Sequence, residues 1–291
     1  MIPHLLLVAL SLAGTMKTDT TIRLPRNGAV EIDSRSRDVI VRVGSSDAVV
    51  VHGGDGQLDG GTLQVGGGRR RDRGSAPLEV TVPSWARVEV SSIEGNLTFQ
   101  GAPARLHAGT VSGFIHLNGG SGSVELENVG GDVVVGDFHG TRLSVDATSG
   151  DVTITNASGA MEVEAVNGTV TMRGIRSDRV TASSANGAVA FEGPLAPSGS
   201  YEFTSQNDDV TLTLPADVSA RMRVSTLNGG LRTEIPATTH GVTPARDTAE
   251  DNRHKDRGDD GERSFVVMYG SGAAQVSIDV YNGNAVIRRM H

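Results

Sequence analysis

No cysteine occurs among the 291 residues, which excludes disulfide staples, thiolate metal sites and a thiol nucleophile together. Aromatic residues amount to 3%, with one tryptophan, Trp85. A core with so few rings must be assembled from Val, Ile, Leu and Ala, which suits thin stacked layers better than a thick globular centre. Lysine is nearly missing: Lys17 and Lys255 are the only two, and arginine supplies the remaining basic residues. With a formal charge of -8 and an isoelectric point near 5.5, the chain lacks the basic stripe that nucleic-acid phosphates require. No apolar run approaches the about 20 residues of a membrane-spanning helix. Nor is there an amphipathic helix, a Walker loop, a GxSxG elbow or a dinucleotide fingerprint in a strand-turn-helix setting.

Glycine, by contrast, is abundant at 38 residues, and its placement is periodic. A phrase of glycine, one small or polar residue, then two apolar residues separated by one position reads GNLTF from Gly95, GFIHL from Gly113 and GDVVV from Gly131. It continues as GDVTI from Gly150, GTVTM from Gly168 and GAVAF from Gly187, at intervals of 18, 18, 19, 18 and 19 residues. Looser copies follow at Asp208 and Gly229, each 21 further on. A fixed period of this length marks a solenoid whose repeats stack as coils. The expected fold is all-β, a single elongated parallel β-helix with about 18–19 residues per coil and an N-terminal β cap. In TRLSVDATSGDVTITNASG, from Thr141, alternation puts Leu143 and Val145 on one side of a first strand and Val152 and Ile154 on the same side of a second. Eight or nine coils at about 4.8 Å each would make a rod roughly 40 Å long.

The phrase glycines Gly95, Gly113, Gly131, Gly150, Gly168, Gly187, Gly229 and Gly283 are read as turn positions. Four of them follow asparagine, in Asn167-Gly168, Asn186-Gly187, Asn228-Gly229 and Asn282-Gly283. Both residue types tolerate positive φ, and stacked asparagines would form a hydrogen-bonded ladder along the rod.

The chain divides by composition. Residues 1–15, with the apolar run LLLVALSLA before Ala13 and Gly14, read as a signal peptide whose n-region lacks Lys and Arg. Residues 16–92 form an N-terminal β segment and cap, with Trp85 covering the end of the apolar stack. Residues 93–237 are the regular coils, 238–263 a polar disordered loop, and 264–291 closing strands of the same domain, the last coil closing the stack.

The phrases DVIVRV, DGGTLQV, EVTVPSWARVEV, SVDATSGDVTI and EVEAVNGTVTM, in that order, make the chain similar to a bacterial family of adhesin-like proteins, the domain of unknown function 4097 (DUF4097). The resemblance covers residues 20 to 289. It implies an exported or envelope-associated β-solenoid and brings no catalytic residues to carry over.

Candidate chemistry is sparse. Asp208-Asp209 is the one adjacent acidic pair in the repeats, but it occupies a turn position, and neighbours on a strand point to opposite faces. Asp55 and Asp59 lie among glycines in an imperfect calcium-type nonapeptide that has no second copy. Arg69, Arg70, Arg71 and Arg73 read as a solvated hairpin tip. His107 and His116 fall in one coil and His139 in the next, so two of them are able to meet, yet zinc requires three or four convergent ligands. The expectation is therefore a non-enzymatic, exported scaffold or recognition module of the cell envelope, without cofactor or metal, whose partner is a surface glycan or an envelope protein. A polysaccharide hydrolase or lyase and an envelope-stress sensing module are the alternatives.

Overall fold

The computed structural model describes residues 19–66, 76–244 and 263–290; the expected signal peptide and the Arg69–Arg73 cluster lie outside them. Short alternating runs form strands that bury one face, and every regular element among the described residues is a strand, 27 in number. β1 (Asp19–Arg23), β2 (Ala29–Ser34), β3 (Val39–Gly44), β4 (Ala48–His52), β5 (Asp55–Asp59), β6 (Thr62–Gly66) and β7 (Leu78–Pro83) come first. Regular coils follow, each a longer strand and then a shorter one: β8 (Arg87–Glu94) with β9 (Leu97–Gln100), β10 (Arg105–Ser112) with β11 (Ile115–Asn118), and β12 (Ser123–Gly130) with β13 (Val133–Gly136). The series continues as β14 (His139–Ser149) with β15 (Val152–Thr155), β16 (Ser158–Asn167) with β17 (Val170–Arg173), β18 (Arg179–Ser184) with β19 (Val189–Glu192), and β20 (Ser200–Ser205) with β21 (Val210–Leu214). The C-terminal part holds β22 (Ala220–Thr226), β23 (Leu231–Thr233), β24 (Thr238–Pro244), β25 (Arg263–Tyr269), β26 (Ala274–Val280) and β27 (Ala285–Arg289).

The strands make two sheets, sheet A of 13 strands and sheet B of 14. Each coil contributes its longer strand to sheet B and its shorter one to sheet A, in parallel register with the coils above and below. The chain is thus a two-sided β-solenoid, not closed into a barrel. Leu143 and Val145 stack on Met161 and Val163, and these on Val180 and Ala182; across the core, Val152 and Ile154 stack on Val170 and Met172. All ten are buried. The core is as aliphatic as the composition demands, its few rings including Phe191 and Phe203, whose centroids are 5.3 Å apart with the planes tilted by 52°.

The two corners of each coil solve different problems. At the first, between the sheet B and sheet A strands, the phrase glycines stack directly on one another. A Cβ on Gly150 would lie 2.1 Å from the Gly131 carbonyl oxygen, and one on Gly168 would lie 1.9 Å from that of Gly150. Buried Thr110, Ser184 and Ser205 hydroxyls donate to the carbonyls of Gly95, Gly168 and Gly187 from inside, so this tight corner leaves those acceptors satisfied. At this first corner Gly113, Gly131 and Gly150 have φ of 150°, 116° and 121°, whereas the second corner takes the left-handed helical region, Gly101, Gly119, Asp137, Asn156 and Gly174 having φ between 50° and 85°. The asparagine–glycine pairs are therefore not left-handed turns. Neither Asn167, Asn186, Asn228 nor Asn282 has positive φ; their glycines are required by close approach.

Both ends depart from chain order. β26 pairs with β20 on one side and β22 on the other, and β27 lies between β21 and β23. The last coil of the sequence is thus inserted within the stack and does not close it. The end is made by β25 and β24, which add antiparallel beyond β22. Residues 238–244, expected within a polar loop, form β24, because TTHGVTP is rich in β-branched residues and the charged run begins after it. The N-terminal end is built alike: β6 and β7 sit outside β2 and β3, although β2 and β3 neighbour β8 and β9, and antiparallel β5, β4 and β1 finish the edges. These strands cover the terminal coil. Trp85, given that task by the sequence reading, lies at the β7–β8 connection, half-buried against the core with its indole N–H donating to Asp47.

Candidate functional site

Because the coils stack in register, each outward position becomes a column of side chains running along the rod. On sheet B one column carries Arg87, Arg105, Ser123 and Arg142. The next carries Glu89, His107, Glu125, Ser144 and Glu162, and the third Ser91, Gly109, Glu127, Asp146 and Glu164. Beyond the buried fourth column lies an edge where apolar side chains face solvent. Ile93, Val111, Val129, Val166, Leu227 and Tyr281 are each 40–52% exposed. A row in which apolar side chains face solvent on most coils, interrupted by Thr148 and Gln206, differs from the single exposed apolar side chains found on any surface.

Next to that edge runs the predicted asparagine ladder. Asn186 donates to Asn167, Asn207 to Asn186, Asn282 to Asn207 and Asn228 to Asn282, at 2.7–2.9 Å. The order of bonds confirms that the coil of Asn282 lies between those of Asn207 and Asn228. After three of the corner glycines the next side chain has a structural duty: Asn96 accepts from the Phe114 backbone N–H, Asp132 from that of Asp151 and Asp151 from that of Thr169. Asp208 and Asp209 belong to this pattern, Asp208 accepting from Asp209 N–H and Asp209 from Asn284 N–H. Their carboxylates are used in building the corner.

The carboxylate assembly that sequence reasoning missed is on sheet B. Glu127, Asp146 and Glu164 rise one above another on successive coils, with Glu125 and Glu162 in the adjacent column. Asp146 is exposed, but partial desolvation of its carboxyl raises it above the ordinary aspartate range, and the nearby charges of Glu164, Glu127, Glu162 and Glu125 push it in the same direction. Two basic side chains face this field: His107 lies 3.3 Å from Glu125, and the Arg142 guanidinium pairs with Glu162. The signal was available in SVELENV, LSVDATS and MEVEAVN, whose acidic residues fall at the same step of the repeat.

The histidines do not converge as a set. His107 faces outward on sheet B, His116 lies on β11 in sheet A, and His139 bonds Ser158 at 3.0 Å. His107, Glu125 and Glu127 bring one donor atom each within 4.8 Å; two of the three are exposed carboxylates on one strand, a spacing any Glu-x-Glu strand produces. Asp55 and Asp59 stand at opposite ends of β5, opposite Gly66 and Thr62, and share no centre.

Between the acidic column and the apolar edge runs a groove of about 360 Å³ lined by Glu127, Asp146, Glu164, Val129, Val166 and Ala185 among others. No helix among the described residues is long and apolar enough to cross a membrane. Fold and surface together define a two-sided, parallel β-solenoid with a columnar outer face. The chain belongs to the Toastrack DUF4097 family, whose model matches residues 8–276. No curated protein matches it. Among solved structures it is similar to a candidate adhesin from Parabacteroides merdae ATCC 43184, with 14% identity, 69% of this chain and 91% of that chain covered and a TM-score of 0.49. A candidate lipid-binding protein from Parabacteroides distasonis ATCC 8503 has 9% identity over 94% and 97% of the two chains, with a TM-score of 0.48. A candidate adhesin from Bacteroides fragilis NCTC 9343 has 10% identity over 95% and 98%, with a TM-score of 0.43.

Proposed function

We propose that the chain is an exported, non-enzymatic recognition module of the cell envelope, holding a partner along the columnar face of sheet B in the manner of an adhesin or scaffold. The observation that carries this reading is the continuity of that face: in-register stacking lines up like side chains over many coils, which suits an elongated partner better than a small substrate. The apolar run of residues 5–13 supports export. Incubating the purified chain with polysaccharides and envelope fractions, and scoring co-sedimentation and released sugar ends in the same tubes, tests it. Saturable co-sedimentation without released ends is the expected result; no co-sedimentation with any fraction overturns it.

One observation favours a second reading. Glu127, Asp146 and Glu164 stand on adjacent coils about 4.8 Å apart, close to the carboxylate separation of retaining glycosidases, about 5–5.5 Å, and Asp146 is the kind of raised carboxyl that serves as an acid. Against it, among the described residues no aromatic ring lines the groove to seat a sugar. Released ends that vanish in Asp146→Asn would establish the enzyme.

A further inference from the structure

The groove on sheet B has two unlike walls. One is mostly apolar, Val129, Val166 and Ala185 with Thr148 between the valines and Gln206 at the end; the other is acidic over three coils, Glu127, Asp146 and Glu164, and is continued by Ser183 and Thr204. Among the described residues none of these three carboxylates has an ion-pair partner, since His107 and Arg142 are engaged by Glu125 and Glu162. An occupant that satisfies both walls must place aliphatic surface on one side and positive charge on the other. Lysine and arginine side chains do this singly, with a methylene stem to lie against valine and a cationic head to reach a carboxylate.

The period of the walls selects the shape of the occupant. Side chains recur along the groove about every 4.8 Å, the spacing of stacked strands. An α-helix laid along the rod presents a row of side chains about every 5.4 Å, and drifts only about 2.4 Å over the four steps from β12 to β20. An extended strand presents one face about every 6.7 Å and loses register after one or two coils. The groove is about 19 Å long by the same spacing, the length of about 13 helical residues.

We infer that this groove docks a basic amphipathic helix of a partner protein, its Lys and Arg side chains inserted between the valine edge and the acidic column. The inference deepens the recognition reading and rests on it by naming the partner's chemistry. A second copy of this chain would bring acidic column against acidic column where the two grooves met; its Arg87 and Arg105 stand two columns away and answer the carboxylates only if the copy docks off its own groove. A zwitterionic lipid surface offers its headgroup cations only beside phosphates that the acidic column repels, and an anionic one adds further negative charge.

The probe is a fluorescein-labelled 18-residue peptide of leucine and lysine at helical spacing, titrated with the full chain and read by anisotropy at low and at moderate salt. Two control peptides accompany it, one with glutamate for every lysine and one of the same composition in strict Leu-Lys alternation. Saturable binding of the helical peptide alone is expected, weakening as salt rises. Val129→Ser with Val166→Ser, and separately Glu127→Gln with Asp146→Asn and Glu164→Gln, should each weaken it by about tenfold or more, roughly 1.4 kcal/mol. Both variants must melt as cooperatively as the parent; all five positions are exposed, and either variant alone suffices if the other misfolds. The inference is overturned if the alternating or acidic peptide binds as tightly, or if the serine variant binds undiminished, which would leave bare charge attraction. Concentration-dependent dimers, or flotation with phosphatidylcholine vesicles, that the serine substitutions abolish would also overturn it. If groove variants still sediment with envelope fractions, the groove falls and the recognition reading stands; if the peptide binds but no envelope fraction does, the reverse holds.

Discussion

Gly168 has unexceptional backbone angles, yet a Cβ placed on it would lie 1.9 Å from the Gly150 carbonyl oxygen. The glycine there serves close packing of one coil on the next, and alanine must push the corners apart. Gly168→Ala should cost about 1–3 kcal/mol, the usual range for overpacking, and lower the melting temperature by roughly 2–10 °C. Gly136→Ala is the control, since its Cβ would meet nothing nearer than 3.7 Å; its melt should stay within about 2 °C of the parent. Equal losses at the two sites would refute the close-approach account. Asp146 makes a prediction in pH. Its folded carboxyl titrates above the ordinary value of 3.8, first through partial desolvation and then through Glu164, Glu127, Glu162 and Glu125. A raised acid favours the folded state below its unfolded pKa and loses that contribution as pH rises through the folded one. Asp146→Asn should therefore raise the melting temperature at pH 7 by about 1–2 °C, and the gain should vanish below pH 3.8. A gain that persists at low pH would point to some effect other than ionisation.

At the level of elements, the N-terminal cap hangs on one side chain that periodicity does not mark. Arg37, 8% exposed, donates to the carbonyls of Ala76 and Gly53 at 2.8–3.2 Å, tying the start of β7 and the end of β4 to the β2–β3 corner. With no carboxylate among these partners, its charge is spread over backbone oxygens. Arg37→Met keeps the volume and strands those acceptors, so a loss of about 2–4 kcal/mol is expected, read as early protease cleavage between residues 48 and 83 while the later coils stay intact. Uniform loss along the rod would refute a local tie. The central coils were legible because each strand repeats its neighbour's apolar step, so Leu143, Val145, Val152 and Ile154 announce their own partners. The asparagine ladder was legible for the same reason. The caps were not, because β4, β5, β24 and β25 pair antiparallel with strands that no periodic spacing identifies. The acidic groove was missed for a different reason. Within one strand Glu127 is an isolated outward residue, and only stacking onto Asp146 and Glu164 makes it part of a column.

The molecule as a whole is a stack in which each coil is held by its two neighbours, so the order of stacking decides what a truncation removes. In a solenoid that follows chain order, a chain ending at Pro236 would keep β22 and β23 on top of β20 and β21. Here β22 is bonded to β26 and β25, and β23 to β27. All three of those strands would be gone. The two remaining strands are too short to stand alone, and the corner column reads Gly187, Asp208, Gly283, Gly229, so Gly229 is shaped to lie on Gly283. Amide hydrogen exchange on the truncated chain should show residues 220–233 exchanging like unfolded chain, while the coils between residues 97 and 192 keep their protection. Protection surviving at 220–233 would mean that β22 and β23 can dock directly on β20 and β21, and that the inserted coil is a replaceable spacer. Loss of protection throughout would mean that the inserted coil locks the whole rod, making the C-terminal strands, though last in sequence, the element on which the stack depends.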